Sequence, residues 1–431
     1  MDIRTVALQA KKAAVRIAAK ETEKKNRALA AIADALEARR ADIVAANQAD
    51  MKDATKENLA PPLLKRLLFD EDKLKEACEG LRSMIGLPDP VGHTLNAMAL
   101  NDGLELYRVS CPIGVIGVIF ESRPDALIQI SCLCLKSGNA VLLKGGREAA
   151  ATNRLLAEII HRAGITAGMP NGWLGLLETR DDVAAMLNLD AFIDLIIPRG
   201  SNAFVKHIMD NTTIPVMGHA DGICHVYVDR EADLDMAERI TIDSKTQYVA
   251  VCNAAETLLV HRDVAAEFLP RVKAALESRG VEIRGCDQTV ACIDVKAAVE
   301  EDWSTEYLDY VISIKVVDSF EGAVAHINAY GSGHTDVIVS GDRDRGLRFM
   351  NAVDSADVFL NCSSRFCDGF RYGLGAEVGI STNKTHARGP VGLDGLVIYQ
   401  WRLIGTGQVV ADYSGPTARR FKHQKLDKIF Q

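Results

Sequence analysis

Nowhere in these 431 residues is there a run of about 18 uncharged apolar residues, so no segment is long and oily enough to span a bilayer as a helix. The ten cysteines include no CxxC pair and no His/Cys ligand spacing, which leaves neither a zinc motif nor a disulfide framework to argue for. No metal is therefore expected. Free thiols suit a reducing compartment, and a cytoplasmic location is the expectation. Positive charge is not in excess: 50 Lys and Arg against 58 Asp and Glu give a net charge of -8, no footprint for a nucleic acid. Internal repeats, low-complexity linkers and a GxGxxG turn are also missing. Residues 1–20 lack a continuous apolar core or cleavage site, so they do not read as a secretion signal; an amphipathic transit peptide is the alternative.

With 48% apolar and 25% charged residues, the chain has the composition of a globular enzyme. Its length exceeds what one core usually serves and predicts two or three domains. The first hundred residues read as scaffold helices, with apolar positions three and four apart through Ala30-Ile32-Ala33-Leu36 and Leu63-Leu64-Leu67-Leu68. From Leu104 the pattern changes. A short alternating run leads through Pro112-Ile-Gly to the almost fully apolar Val115 to Phe120, which suits a strand buried on both faces. Helix-like Ala126 to Lys136, strand-like Ala140 to Lys144 and helix-like Glu148 to Ala163 follow, an alternation that builds a parallel α/β sheet. Strands at Phe192 to Ile197 and His225 to Val228 are expected to extend it, and a second α/β unit is expected after Leu234. Leu396 to Asp412 reads as a hairpin about Gly405-Thr-Gly407, and the last residues as a loosely held basic tail.

Cys252 lies where Thr246-Gln-Tyr-Val-Ala-Val-Cys opens onto Asn253-Ala254-Ala255 and an apolar run. Such a place can expose a nucleophilic sulfur, whose thiolate then needs a helix N-terminus or cationic neighbours. A buried structural thiol is the other reading, since cysteine is often buried. Three glycine-containing turns invite a chemical reading because a strand ending in such a turn before a helix aims N–H groups at an anion. Lys144-Gly145-Gly146-Arg147 brings two cations to a strand end, as an adenosine phosphate would require or as a solvated turn would allow. Pro198-Arg199-Gly200-Ser201 permits close approach to a phosphate, or caps the next helix and nothing more. Gly218-His219-Ala220-Asp221-Gly222 offers His-x-Asp to a metal or a proton, or simply holds one hydrogen-bonded His in a turn.

Taken together, several long segments resemble the glutamate-5-semialdehyde dehydrogenase (gamma-glutamyl phosphate reductase) family of the aldehyde dehydrogenase superfamily. They are Pro112-Ile-Gly-Val-Ile-Gly-Val-Ile-Phe-Glu-Ser-Arg-Pro124, Lys136 to Gly146, Val251 to His261, the signature-like Val317 to Ile338, Gly373-Leu-Gly-Ala-Glu-Val-Gly-Ile-Ser-Thr, and His386 to Leu393. The resemblance covers roughly residues 5 to 425. It implies an aldehyde dehydrogenase-like α/β fold: two Rossmann-like domains with parallel sheets plus a small β oligomerisation arm. On that pattern residues 1–100 and 113–234 make an NADPH-binding domain, 235–395 a catalytic domain carrying Cys252, 101–112 and 396–412 the arm, and 413–431 a basic tail.

The implied reaction is NADPH-dependent reduction of L-glutamyl 5-phosphate through a Cys252 thioester to L-glutamate 5-semialdehyde and phosphate, the second step from glutamate to proline. By the same resemblance Lys144, Arg147, Gly200, Ser201 and Glu306 hold NADPH. Arg147 stands about where many NAD-specific relatives carry a carboxylate, so it favours a 2′-phosphate. Arg123 assists Cys252 at the oxyanion, and His219, Arg365, His386 and Arg388 meet the substrate's charged ends. Two departures from ordinary aldehyde oxidisers fit an acyl phosphate: Glu121-Ser122-Arg123 replaces their Pro-Trp-Asn, and no water-activating Glu stands in the Gly218 region. A homo-oligomer is implied. Some relatives are fused to a kinase that this chain lacks, which makes a separate glutamate 5-kinase the expected partner. A non-phosphorylating aldehyde oxidiser would need the missing Glu, and a silent binding protein would be expected to lose the thiol or the nucleotide turns. Thermal stabilisation by NADPH separates the last from an enzyme.

Overall fold

A computed structural model describes residues 2–219 and 221–430. Five helices come first, Ile3–Ala18, Thr22–Ala38, Arg40–Lys56, Pro61–Leu67 and Glu71–Ile85. The first of the two apolar stripes is buried as its spacing predicts, with Ile32, Ala33 and Leu36 inaccessible. The second is not: it falls on the seven-residue helix Pro61–Leu67, in which Leu67 is buried, while Leu68 just beyond it is exposed.

Next, β1 (Thr94–Asn101) and β2 (Leu104–Pro112) form an antiparallel pair about Gly103, whose φ of +67° suits the tight turn. Strands β3 (Val115–Phe120), β4 (Ala140–Lys144), β5 (Leu174–Leu177) and β6 (Leu195–Arg199) make a parallel sheet in the order β5-β4-β3-β6. Because successive strand residues face opposite sides, Ile116, Val118 and Phe120 join Leu29, Ile32 and Leu36 in one core, while Val115 and Ile119 meet Ala7, Ala10 and Ala14 in another. Helices thus cover both faces, and every residue of β3 is buried. The chain adds β4 and β5 on one side of β3 and then returns to place β6 on the other. This reversal opens a crevice beyond Phe120 and Arg199, which pair at the carboxyl ends of β3 and β6.

Strands β7 (Cys224–Val228), β8 (Ala255–His261), β9 (Glu282–Gly285), β10 (Lys296–Ala297), β11 (Val311–Val317), β12 (Thr335–Val339) and β13 (Asp357–Leu360) form a second parallel sheet in the order β10-β9-β11-β8-β7-β12-β13. The strand at His225 to Val228 therefore belongs to this sheet, paired with β8 and β12, and does not extend the first. The second unit begins before Leu234.

A two-stranded ribbon, β14 (Gly379–Ser381) and β15 (Gly389–Val391), precedes β16 (Val397–Ile404). The expected hairpin about Gly405-Gly407 is not formed. β16 pairs along its length with β2, and the residues after the turn form a short 3-10 turn, Val410–Tyr413. Nor is the tail loose: β17 (Gln424–Lys425) adds to β1, while Leu426 and Phe430 pack on Ala97, Tyr107 and Val109. The resulting sheet, β16-β2-β1-β17, takes in Thr94–Asn101 and the tail as well as the expected arm residues.

Candidate active site

Where β3 ends, the chain turns through Glu121-Ser122-Arg123. Ser122 has a φ of +42°, unusual without glycine, and its N–H and Oγ both donate to Glu148 Oε1, at 2.7 and 2.6 Å. That carboxylate holds the turn so that Arg123, just ahead of the helix Pro124–Lys136, lines a cavity of about 310 Å3. Across the crevice β6 ends at Arg199, and Gly200 passes so near Glu121 that a Cβ there would lie 2.6 Å from its Oε2. The Ser201 N–H, at the start of the helix Asn202–Asp210, donates to the same oxygen at 3.1 Å.

Cys252 occupies the turn between the helix Leu234–Thr246 and β8, at no helix N-terminus. Three neighbouring strands of the second sheet build its surroundings from their amino ends. Before β7, Gly222 lies so close that a Cβ would sit 2.2 Å from the Cys252 carbonyl oxygen and 2.5 Å from its Cα. On β7, Cys224 Sγ donates to that carbonyl at 3.2 Å. Just before β12 stands His334, fully buried, with a ring nitrogen within 4.8 Å of the Cys252 sulfur. The base of the turn is clamped by a buried ion pair, Lys245 Nζ to Glu256 Oε2 at 2.6 Å, joining the end of the helix to β8. Burial pushes the Glu256 carboxyl up to about 7, against the pull of Lys245.

Burial likewise raises the thiols of Cys132, Cys134, Cys224 and Cys367, which leaves them neutral and inert. Cys252 lines the cavity instead, with Arg123, Arg199 and Arg365. Burial lowers the Arg199 guanidinium, and the like charge of Arg123 lowers it further, while Glu377 and Cys252 pull it back. Arg365 is lowered by burial and by Arg371, again opposed by Cys252; its Nε donates to Gln247 Oε1 at 2.9 Å. The cations a working thiolate requires are therefore present, supplied by side chains and not by a helix end.

His219 Nδ1 lies 2.9 Å from the Ile380 carbonyl. A carbonyl only accepts, so Nδ1 carries the proton and Nε2 a lone pair; burial keeps the ring neutral by lowering its pKa. Glu306 is held by Asn202 Nδ2 and the Gly222 N–H, and burial raises its carboxyl. Ala220 lies outside the described residues.

A larger adjoining space, about 1420 Å3, shares Arg66 and Glu121 with the first and is lined by Lys144, Arg147, Ser201 and Phe204. Lys144 is the last residue of β4 and its Nζ donates to the Gly145 carbonyl at 2.5 Å; Arg147 is largely exposed and pairs with Glu57 at 2.9 Å. His386 and Arg388 line neither space. His386 Nε2 contacts the Gly395 carbonyl at 2.9 Å, and Arg388 is bound to the Thr382 carbonyl at 3.2 Å and to Asp354 at 3.3 Å. In this structure both side chains brace the late loop.

Arg199, His334 and Glu377 are the site residues that sequence reasoning passed over. The signal for Arg199 was its place at a strand end before a glycine. His334 and Glu377 stood inside motif segments without a role. Glu377 accepts from the Gly369 N–H at 2.8 Å and is raised by burial.

Comparison with known proteins gives a consistent set of matches. Residues 1–292 match the aldehyde dehydrogenase family. The gamma-glutamyl phosphate reductase of Ruminiclostridium cellulolyticum is 62% identical over 428 residues, covering 99% of each chain. That of Acetivibrio thermocellus is 60% identical over 430 residues, covering 100% of each. Among solved structures, gamma-glutamyl phosphate reductase from Thermotoga maritima superposes with a TM-score of 0.93 at 39% identity, covering 95% of this chain and 100% of that one.

Proposed function

The chain belongs to the aldehyde dehydrogenase family, and within it to the gamma-glutamyl phosphate reductases; from that premise we propose that it reduces L-glutamyl 5-phosphate to L-glutamate 5-semialdehyde and phosphate through a thioester on Cys252, with NADPH as reductant, as the second step of proline biosynthesis from glutamate. The observation that carries this reading is a half-buried thiol sharing one cavity with three guanidinium groups, Arg123, Arg199 and Arg365. An acyl phosphate brings negative charge to such a place, and a thiolate is stabilised in it.

The Cys252 thiolate attacks the γ-acyl carbon. The oxyanion that develops is met by the Cys252 N–H and the Arg123 guanidinium, donors worth most in a partly desolvated cavity. Arg199 neutralises the departing phosphate, and a thioester remains. Arg365 and His219 hold the amino-acid end of the substrate. Hydride addition turns the thioester carbonyl into an alkoxide, and the alkoxide expels the Cys252 thiolate to release the aldehyde. No Glu stands in the Gly218 region where the oxidisers carry their water-activating base, and the one carboxylate there, Asp221, accepts from Asn202 Nδ2 instead, so the thioester survives until reduced.

The residues around the larger space fit a dinucleotide phosphate. A parallel-sheet reversal, a helix N-terminal N–H and the cations Lys144 and Arg147 meet there, and Gly200, whose Cβ would crowd the turn, lines the adjoining cavity. Gly200 and Ser201 would hold the pyrophosphate, Lys144 and Arg147 the 2′-phosphate, and Glu306 a ribose. Bound there, NADPH supplies the hydride. The labile acyl phosphate requires a kinase to make it, so a glutamate 5-kinase supplies the substrate. The β16-β2-β1-β17 arm joins subunits into a homo-oligomer. Among the described residues no helix is long and apolar enough to cross a membrane.

The deciding assay runs the reaction in reverse: reduction of NADP by the semialdehyde, with and without phosphate, in the native chain and in Cys252→Ser. Phosphate or arsenate dependence, lost in the variant, is the expected result. A rate indifferent to both anions sinks the assignment even if activity persists.

A further inference from the structure

The amino ends of β8, β7 and β12 lie side by side in the second sheet, and this adjacency gathers three donor side chains that the reduction does not use as a set. Cys252 Sγ and one ring nitrogen each of His219 and His334 lie within 4.8 Å of one another. The two rings meet edge to face, with centroids 4.9 Å apart. His219 donates its Nδ1 proton to the Ile380 carbonyl, which fixes the ring and leaves its Nε2 as a lone-pair donor. His334 Nδ1 is engaged by Thr335 Oγ1 at 2.8 Å. Its Nε2 is different: the residue is fully buried, and that nitrogen has no hydrogen-bond partner among the described residues. An unpartnered buried imidazole nitrogen is a standing deficit that a ligand at this point would relieve.

We propose that these three side chains form a zinc(II) site, with Cys252 Sγ and the Nε2 atoms of His219 and His334 as ligands, and that zinc held there reversibly blocks the enzyme. A thiolate with two neutral imidazoles is a donor set for zinc and not for magnesium or calcium, which take oxygen ligands. Zinc bonds of about 2.0 to 2.3 Å in a tetrahedron set ligand atoms about 3.3 to 3.7 Å apart. The three donors therefore need to close by at most about 1.5 Å, within reach of small side-chain rotations at the half-buried Cys252 and His219. Ile380 and Thr335, fixing the far nitrogen of each ring, act as the outer partners that metal-bound histidines usually have. The fourth position opens to the cavity and takes water. On binding, the Cys252 S–H bond gives its proton to solvent and a zinc–sulfur bond forms, with no change of oxidation state. Binding stands on the geometry alone; the inhibition rests on the reading of Cys252 as nucleophile.

Cobalt(II) is the direct probe, because a tetrahedral cobalt–thiolate site gives intense visible bands and a sulfur-to-metal charge-transfer band. One equivalent per chain is expected to produce both, and Cys252→Ser to lose the charge-transfer band. Zinc is expected to inhibit, to be reversed by a chelator, and to shield Cys252 from iodoacetamide when the alkylated positions are mapped by mass spectrometry. His334→Asn and His219→Gln should each weaken zinc binding by at least about tenfold; two variants are used because His334 is buried and one of them could misfold. The proposal is overturned if cobalt gives no sulfur band, if the band survives Cys252→Ser, or if zinc leaves Cys252 as reactive as before. A chain that binds zinc through Cys252 yet lacks phosphate-dependent activity would remove the proposed function and keep the site. An active enzyme without the cobalt band does the reverse.

Discussion

At Gly222 a single missing side chain sets the position of the nucleophile. Any Cβ would stand 2.2 Å from the Cys252 carbonyl oxygen, so the turn can sit here only beside glycine. Gly222→Ala should move Cys252 by about an ångström and lower kcat by about 100-fold, since near-attack geometry tolerates little displacement. Circular dichroism and thermal unfolding check that the fold survives; an unimpaired kcat would show that the contact does not position the thiol. His326 gives a second prediction at this scale. Its ring lies among Trp303, Tyr330 and His225, and burial first, then the charges of His225 and Lys315, push its pKa down to about 3. In the unfolded chain the ring titrates near its ordinary value of about 6.5. Below that pH the unfolded chain gains a proton the folded one refuses, so this stabilisation, complete above about pH 6.5, is lost as pH falls toward 3, by up to about 1.4 kcal/mol per unit. His326→Phe should flatten the pH dependence of unfolding free energy between those limits, measured by urea titration.

Among the elements, the helix Asn202–Asp210 carries the most weight. Its first N–H groups and its dipole favour an anion, and Glu121 now takes that place by accepting from Ser201. A dinucleotide pyrophosphate must compete for the same donor against a like charge. Glu121→Gln should therefore tighten NADPH binding about three- to tenfold, a gain of about 1 kcal/mol, read by quenching of nicotinamide fluorescence. Weaker binding in the variant would mean that Glu121 helps hold the cofactor. The strand beneath was legible: the almost fully apolar run Val115 to Phe120 suits a strand covered on both faces, and all six of its residues are buried. The allegiance of His225 to Val228 was not. An equally apolar strand fits either sheet, and pairing with β8 and β12 is a fact of long-range contact.

For the whole molecule, the arm presents an apolar outer edge. Tyr399, Trp401, Leu403 and Ile404 are each half exposed on β16, whose free backbone edge has no neighbour within the sheet. Such an edge invites pairing with a second subunit. Trp401→Glu together with Leu403→Glu should split the proposed oligomer, lowering the mass seen by sedimentation velocity while far-ultraviolet circular dichroism stays unchanged; an unaltered mass would place the subunit contact elsewhere. The arm's composition also marks a limit of local patterning. Alternation after Gly405 resembled a hairpin partner, yet β2, far upstream, supplies the pairing, because register against a long strand buries more than a short local return.

By itself the sequence determined what depends on neighbours in the chain: the apolar runs that become strands, the glycine turns at their ends, the family to which its ordered motifs belong, and Cys252 as the candidate thiol. Composition and periodicity reach that far because backbone geometry repeats over a few residues. Only the tertiary structure decided which cations surround the sulfur, that His386 and Arg388 line neither cavity, and that His219 and His334 converge on it from other strand ends. Those outcomes follow from strand order in the second sheet, and strand order is set by packing between segments far apart in the chain, which no local pattern records.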